Sequence, residues 1–321
     1  MMGGMGAGIT RRSFLKGTAA TVAAGFLSRF GLPADLPAQN RTASPLPRRR
    51  LGATGEEVSI LGLGGAIAVA GDRARAEAIV DRALDLGVNY IDTAAQYGPS
   101  EENIGSVMRR RRAEVFLASK THDSGYDGTM RLFERSLRRL QTDYLDLYQI
   151  HGLHSDSMLQ AVRGEAGALK ALERLKAEGA VRYLGVSAHK NAELIPRVLE
   201  SFPFDCALIS LNAGDRHIDS MIEYALPAAR RRRLGIIAMK VAAYDGRIFR
   251  EGGVASMEEA LGYVLSHPVS TAIVGIGSIA QLEQNAAIAR EFRPFSRTLM
   301  REIEERTASY HEEINFFKHL W

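Results

Sequence analysis

The chain has 321 residues, enough for two ordinary domains or for one large α/β barrel with a tail. Its apolar content of 46% and charged content of 24% are those of an ordinary globular protein, which excludes a disordered chain or one with many membrane spans. The single cysteine, Cys206, excludes an intrachain disulfide and any cysteine-ligated zinc or iron–sulfur site.

Residues 1–38 have the pattern of an export signal. Arg11 and Arg12 precede Phe14 and Leu15, a short Gly- and Ala-rich apolar run follows, and the whole resembles a twin-arginine signal peptide. The run is shorter than the roughly 20 apolar residues that cross a bilayer, so no stable membrane span is expected. We predict that the twin-arginine export machinery delivers the folded protein to the periplasm, with cleavage near Ala38. The alternative is a disordered basic leader on a cytoplasmic protein.

The leader also carries most of the excess positive charge. Its four basic side chains and one acidic side chain account for +3 of the net charge of +4, so the remainder is nearly neutral. Nucleic acid is therefore not an expected partner. Residues 39–50, which end in Arg48 to Arg50, are predicted to be a flexible linker, and residues 51–321 a folded domain with a C-terminal extension.

From Leu51 onward, short apolar runs alternate with longer amphipathic segments. The strand-like runs are, in chain order, SILGLGG, NYID, VFLASK, YLDLYQIH, RYLGVS, CALISLN, GIIAMK and TAIVGI. The predicted helices are Ala74–Leu86, Glu101–Arg110, Thr129–Leu140, Gly164–Ala177, Ala192–Ser201, Ile218–Arg233 and Ser256–Ser266. Apolar strands separated by helices indicate parallel pairing with both sheet faces buried, in either a closed barrel or an open doubly wound sheet.

Polar residues at the strand ends favour the closed barrel. A polar side chain lies at or just past the C-terminal end of successive strands, namely Asp92, Lys120, His151, Ser187, Asn212 and Lys240. A barrel brings all its strand ends to one mouth, whereas an open sheet gathers ligand residues at a single switch point. We therefore predict an α/β fold, a (β/α)8 TIM barrel with a C-terminal helical tail. A Rossmann domain is the weaker alternative, because the glycine-rich runs GMGAG and GLGG lack the full fingerprint spacing.

Four residues at the ends of three consecutive strand-like runs indicate carbonyl chemistry. Hydride addition to a carbonyl builds negative charge on oxygen, so a site for it must supply a proton or a strong hydrogen bond. Tyr97 is the candidate general acid, and an adjacent Lys120 is expected to lower its pKa. Asp92 would balance the charge of Lys120, and His151 would orient the carbonyl oxygen.

The same segments resemble the aldo-keto reductases. The segments GVNYIDTAAQYGPSEENIGSVM, VFLASKTH, YLDLYQIHG, YLGVSAHK, LGIIAMK and VSTAIVGIGSIAQLEQN follow the family's signature segments in order, over roughly Leu51 to Ala289. The resemblance implies a (β/α)8 barrel and a nicotinamide cofactor bound without a Rossmann fold. It also implies reversible hydride transfer to aldehydes, ketones or sugar carbonyls.

The resemblance further implies the residues that hold the nicotinamide end of the cofactor. Ser187 matches the serine that contacts the carboxamide, and Lys240 is placed to meet a phosphate. The chain departs from the family in having Ala188 and Leu208 where an asparagine and a glutamine are usual, and Met239 where an aromatic ring stacks on the nicotinamide. Gly65 and Asn212 are further cofactor candidates.

At the adenosine end, Gly275 and Gly277 would let the backbone approach phosphate, and Ser278 would cap the following helix. Asn285 is expected to contact the adenine, as in relatives. Gln281 occupies the position of the family's frequent 2′-phosphate arginine, so the resemblance implies NADP(H) or NAD(H) without a stated preference.

Three functions are compatible with these patterns. The leading one is a nicotinamide-dependent carbonyl reductase or alcohol dehydrogenase acting on a small-molecule carbonyl or alcohol. The second is a catalytically weak nucleotide-binding protein of the same fold that senses redox state or binds a partner. A barrel hydrolase is the third, but it would need a second carboxylate beside Asp92. No metal is predicted, because His151 and His154 alone are a weak ligand pair.

Overall fold

The protein is described here by a computed structural model that covers residues 44–320. The predicted leader, residues 1–38, and the first part of the predicted linker lie outside the described residues. Within residues 44–320 there is no helix with both the length and the apolar character needed to cross a bilayer.

A closed barrel of parallel strands organises the described part of the chain. The strands are β1 Arg48–Arg50, β2 Glu57–Ser59, β3 Leu61–Gly64, β4 Tyr90–Asp92, β5 Phe116–Thr121, β6 Leu145–Ile150, β7 Val181–Ala188, β8 Cys206–Ser210, β9 Gly235–Met239 and β10 Thr271–Gly275. Strands β3 to β10 pair in parallel in chain order, and β10 closes the ring by pairing with both β9 and β3. The predicted (β/α)8 barrel is confirmed.

Helices surround this barrel and cover its outer face. They are α1 Arg73–Asp85, α2 Ser100–Arg111, α3 Tyr126–Leu140, α4 Asp156–Arg163, α5 Ala168–Ala177, α6 Ile195–Glu200, α7 Ala225–Arg231, α8 Ala243–Gly246, α9 Met257–Ser266, α10 Ile279–Glu291, α11 Arg297–Thr307, α12 His311–Ile314 and α13 Phe317–Leu320. All residues of β5 and β6 are buried, as expected for strands packed on both faces.

Two predicted helices begin at least four residues later than the sequence pattern indicated. The helix predicted from Gly164 begins at Ala168, because the chain turns at Gly167, where an added Cβ would lie 2.3 Å from the carbonyl oxygen of Val162. The helix predicted from Ile218 begins at Ala225. There the Asp215 carboxylate accepts hydrogen bonds from the Ser220 hydroxyl and the Ile222 amide, which holds the intervening segment in turns.

The assignment of Arg48 to Arg50 to a flexible linker is wrong. These residues form β1, which pairs antiparallel with β2. The Arg49 guanidinium donates to the carbonyl oxygens of Val269 at 2.8 Å and Leu265 at 3.0 Å. Leu51 and Val58, which flank the turn of this hairpin, are fully buried with the residues of the barrel interior. Apolar burial and backbone hydrogen bonds thus fix the segment, and its triple-arginine sequence gave no sign of this.

Candidate active site

The predicted catalytic residues meet at the carboxyl end of the barrel. Asp92 ends β4, Lys120 lies in β5 and His151 follows β6 directly. Tyr97 lies in the turn between β4 and α2, where its amide donates to the carbonyl of Ala94 and its own carbonyl accepts from the amide of Ser100, both at 3.0 Å. The parallel arrangement of the strands therefore gathers residues from three βα units into one site.

Asp92 and Lys120 form a buried ion pair. The Lys120 ammonium donates to Oδ1 of Asp92 and, at 2.8 Å, to the carbonyl oxygen of Thr93. The Asp92 side chain is 3% exposed and that of Lys120 is 1% exposed, so water cannot screen their attraction. Burial lowers the pKa of Lys120, but attraction to Asp92 and Tyr97 outweighs it, so the pKa is raised overall and the amine carries its charge at neutral pH. Burial raises the pKa of Asp92, and Lys120 only partly offsets this.

Tyr97 lies against this pair and against His151. Its hydroxyl oxygen is 3.5 Å from Nε2 of His151, and its ring centroid is 5.2 Å from the Lys120 nitrogen. Burial raises the pKa of Tyr97, and the opposing effect of Lys120 is smaller. Lys120 thus acts on the pKa of Tyr97 in the expected, downward direction, but desolvation is the larger effect and the pKa is raised overall. Tyr97 holds its proton at neutral pH, as a general acid must.

His151 is a neutral imidazole in this setting. Burial and the nearby Lys120 ammonium lower its pKa to about 2. Its Nδ1 atom is buried and has no hydrogen-bond partner among the described residues. A neutral ring can donate one hydrogen bond and accept another, but it does not supply a proton at neutral pH. His151 therefore lies beside Tyr97 as an uncharged ring that can donate or accept a hydrogen bond.

Tyr97 and Asp92 line a cavity of about 100 Å³. Part of its wall consists of the backbone of three glycines, Gly64, Gly65 and Gly275, which have no side chains to fill the space. Four of the predicted residues line this cavity besides Asp92 and Tyr97, namely Gly65, Met239, Lys240 and Gly275. Burial lowers the pKa of Lys240 to about 7. The cavity therefore combines an apolar wall with a small number of polar groups, which is typical of a small-molecule site.

A groove of about 420 Å³ continues from this cavity along the barrel mouth. The two share Ile67, Ala242, Tyr244, Val274 and Gly275 as lining residues, so they are one continuous depression. Three more predicted residues line its far end, namely Gly277, Gln281 and Asn285. Ser278 caps α10 by accepting a hydrogen bond from the amide of Gln281 at 3.2 Å. The depression thus joins the predicted nicotinamide end to the predicted adenosine end.

Two predicted cofactor residues are engaged elsewhere in the fold. The Ser187 hydroxyl accepts a hydrogen bond from the amide of Gly152 at 2.9 Å. Asn212 donates to the side-chain oxygen of Asn315 in the C-terminal tail at 3.1 Å and accepts from the amide of Gly214 at 2.9 Å. Neither lines the depression, so their contacts with a cofactor stay predictions.

Three residues that sequence reasoning missed lie at the site. His189 lines the cavity beside Tyr97. Arg75 of α1 donates to the carbonyl oxygen of Gly277, at the turn where the amide of Gly277 is held by the Gln281 side chain at 2.6 Å. Gln149 of β6 donates to Oδ2 of Asp92 at 3.2 Å. Only Gln149 had a sequence signal, because it precedes His151 by two positions and so shares its strand face.

Comparisons with known proteins give two matches to characterised sequence families. The profile of the Aldo/keto reductase family matches residues 61–243, and that of the twin-arginine translocation pathway signal sequence matches residues 8–28. Among curated proteins, methylglyoxal reductase YeaE of Escherichia coli is 31% identical over 64% of this chain and 75% of its own length. The uncharacterized oxidoreductase YqkF of Bacillus subtilis is 27% identical over 77% of this chain and 92% of its own length.

Solved structures of aldo-keto reductases also resemble this chain. Aldo-keto reductase AKR11C1 from Bacillus halodurans superposes with a TM-score of 0.69 at 27% identity, over 81% of this chain and 96% of its own. An aldo-keto reductase from Klebsiella pneumoniae, solved in complex with NADPH, superposes with a TM-score of 0.67 at 28% identity, over 80% of this chain and 94% of its own.

Proposed function

The chain belongs to the aldo/keto reductase family, and on that premise we propose that it transfers a hydride between a nicotinamide dinucleotide and the carbonyl of an aldehyde, ketone or sugar, with Tyr97 as general acid and base. The observation that carries the proposal is the position of Tyr97. Its ring lies against the Lys120–Asp92 pair and His151, and the residue lines the cavity that a substrate carbonyl would enter.

The depression at the barrel mouth fits a bound dinucleotide. Its glycine backbone at the inner end leaves room for a flat ring, and its outer end adjoins the capped start of α10, where helix amides and dipole favour phosphate. A relative from Klebsiella pneumoniae was solved with NADPH, which supports the same class of cofactor here. Gly65, Met239, Lys240 and Gly275 would surround the nicotinamide end, and Gly277, Ser278, Gln281 and Asn285 the adenosine end.

The dinucleotide, when bound, supplies or accepts the hydride, and side chains of the protein donate or accept the proton. In the reducing direction Tyr97 donates its hydroxyl proton to the carbonyl oxygen as negative charge develops there. Lys120, held as an ammonium by Asp92, stabilises the phenolate that remains. Neutral His151 donates a hydrogen bond to the same oxygen and so orients the carbonyl.

A cofactor titration followed by a single turnover tests this function. We expect purified protein to bind reduced dinucleotide at one site per chain. Mixing that complex with excess of a simple aldehyde should then abolish the absorbance of the reduced nicotinamide in one exponential phase. Binding without any oxidation, across a panel of aldehydes, ketones and sugars, would favour the nucleotide-binding sensor instead. Absence of binding would contradict both.

Gln281 is neutral, so it cannot pair with the 2′-phosphate of NADPH as an arginine at that position would. We propose that the Arg75 guanidinium binds this phosphate instead. The Arg75 guanidinium reaches the turn at Gly277 from another helix, whereas the Gln281 side chain is already bonded to that turn. Arg75→Gln should weaken NADPH binding by roughly 10-fold or more and leave NADH binding nearly unchanged, because only NADPH carries the extra phosphate. Isothermal titration with each dinucleotide measures this.

Arg82→Gln is the matched control. Arg82 lies two turns further along α1 and pairs with Glu283 of α10 at 2.7 Å, so it is on the same helix as Arg75 but does not bond to the Gly277 turn. We expect this variant to bind both dinucleotides like the wild type. An equal loss of NADPH and NADH affinity in Arg75→Gln, or no loss at all, would show that Arg75 has no part in phosphate selection.

We also propose that the mature protein acts in the periplasm, on the basis of the signal sequence at residues 8–28. The proposed boundaries are a cleaved leader over residues 1–38 and a folded reductase domain whose described part begins with the hairpin of β1 and β2. Export of the folded chain by the twin-arginine route would allow the dinucleotide to bind before translocation.

A further inference from the structure

The second carboxylate oxygen of Asp92 has its own hydrogen-bond donor. Oδ1 of Asp92 accepts from Lys120, and Oδ2 accepts from Nε2 of Gln149 at 3.2 Å. Gln149 is fully buried in β6, two positions before His151. The two donors come from neighbouring strands, so the carboxylate is held at both oxygens.

The register of the barrel places Gln149 in the layer of the ion pair. Gln149 is the strand partner of Lys120 on one side and of Gly185 on the other. A Cβ added at Gly185 would lie 3.0 Å from Cγ of Gln149, so the glycine leaves the room that the Gln149 side chain occupies. The amide is therefore fixed beside Asp92 by the packing of the strands.

The orientation of the amide favours the ionised carboxylate. With Nε2 facing Asp92, the Oε1 atom of Gln149 is buried without a donor among the described residues. The reversed amide would set two acceptors, Oε1 and Oδ2, against each other. Donation from Gln149 lowers the pKa of Asp92 and opposes the larger, upward effect of burial. The other titratable groups that act on this carboxylate are Lys120 of β5, Tyr97 of the loop and Tyr90 of β4.

We propose that Gln149 is a positioning residue of the reductase site, whose donation to Oδ2 holds Asp92 in the geometry that pairs with Lys120. The inference rests on the proposed function, since its readout is turnover. Lys120 depends on Asp92 for its counter-charge, and Tyr97 depends on Lys120 for stabilisation of its phenolate. Gln149 touches neither the cavity nor the reacting atoms, so it acts through Asp92.

The pH dependence of turnover separates this role from simple packing. Turnover requires ionised Asp92, so a higher pKa of Asp92 moves the acidic limb of the kcat profile to higher pH. Gln149→Met keeps the length of the side chain and removes the donor. We expect the acidic limb to rise by about one pH unit, the shift that loss of an ordinary charge-assisted hydrogen bond corresponds to. Turnover should fall most at low pH and recover as the pH is raised, with dinucleotide affinity unchanged.

Thr271→Val is the matched control. Thr271 begins β10, is fully buried, and its hydroxyl has no hydrogen-bond partner among the described residues. Removal of that hydroxyl disturbs the barrel interior without touching Asp92, so the pH profile should stay that of the wild type. A wild-type profile in Gln149→Met, or the same shift in both variants, would overturn the inference.

Gln149→Glu provides a second reading if the methionine variant fails to fold. Two carboxyl groups would then share the site, so the acidic limb should move to higher pH than in the wild type, because like charges disfavour ionisation. An unchanged limb would overturn the inference. If the wild type is active and the Gln149 variants keep its pH profile, only the role of Gln149 is contradicted. If the wild type oxidises no reduced dinucleotide, the proposed function and this inference are both contradicted.

Discussion

Tyr97→Phe should lower the single-turnover rate by about 10²- to 10⁴-fold, the usual contribution of a positioned general acid, and leave dinucleotide affinity nearly unchanged. The variant removes the proton donor and little else. The Tyr97 hydroxyl lies 3.5 Å from Nε2 of His151 and also interacts with the Lys120 ammonium, which keeps its bonds to Asp92 and Thr93 when that hydroxyl is removed. Stopped-flow measurement of nicotinamide oxidation gives the rate, and fluorescence titration gives the affinity.

Tyr126→Phe is the control for this prediction. The Tyr126 hydroxyl bonds to Arg174 at 2.7 Å and does not line the cavity, so its removal should leave the rate of hydride transfer intact. Parallel losses of rate and affinity in Tyr97→Phe would indicate a binding role, and full turnover in that variant would assign the proton to another group.

Lys120→Met should both destabilise the fold and abolish most of the turnover. The substitution leaves the Asp92 carboxylate buried without its counter-charge, a change that typically costs about 3–5 kcal/mol of unfolding free energy. The loss should be larger at neutral pH than in acid. Without Lys120 the pKa of Asp92 in the folded state rises further above its value in the unfolded chain, so the ionised carboxylate destabilises the fold at neutral pH. As the pH falls to the pKa of the unfolded chain, Asp92 becomes protonated in both states and this destabilisation disappears.

Chemical denaturation of two variants tests this account. The double variant Lys120→Met with Asp92→Asn removes the orphaned charge, so it should regain much of the lost stability while staying inactive. A single variant as stable as the wild type would contradict the buried ion pair as a structural element. A double variant no more stable than the single one would point to lost packing of the lysine stem instead.

Sequence reasoning was sufficient for the barrel because the relevant signals are local. The βα alternation predicts parallel strands, and polar residues after successive strands predict a common mouth, which brings Asp92, Lys120 and His151 together. The hairpin at Arg48 to Arg50 was missed because it is held in part by contacts of Arg49 with Leu265 and Val269, which lie more than 200 positions away along the chain. Such pairings leave no periodic pattern.

The parts of the site that escaped prediction depend on long-range geometry or on desolvation. The contact of Arg75 with Gly277 spans 202 positions, and that of Asn212 with Asn315 spans 103. The lowering effect of Lys120 on the pKa of Tyr97 was predicted from the sequence, but the larger, raising effect of burial was not. The rise in this pKa follows from the depth of burial, which is a property of the assembled mouth and not of the residues taken singly.

A crystal structure of the protein with oxidised dinucleotide and an unreactive carbonyl compound tests the central claim most directly. We predict that the carbonyl oxygen lies within hydrogen-bond distance of the Tyr97 hydroxyl, at roughly 2.6–3.2 Å, with the Lys120 nitrogen on the far side of that hydroxyl. A carbonyl oxygen bonded to another donor, with the Tyr97 hydroxyl turned out of the cavity, would contradict the assignment of Tyr97 as the proton donor.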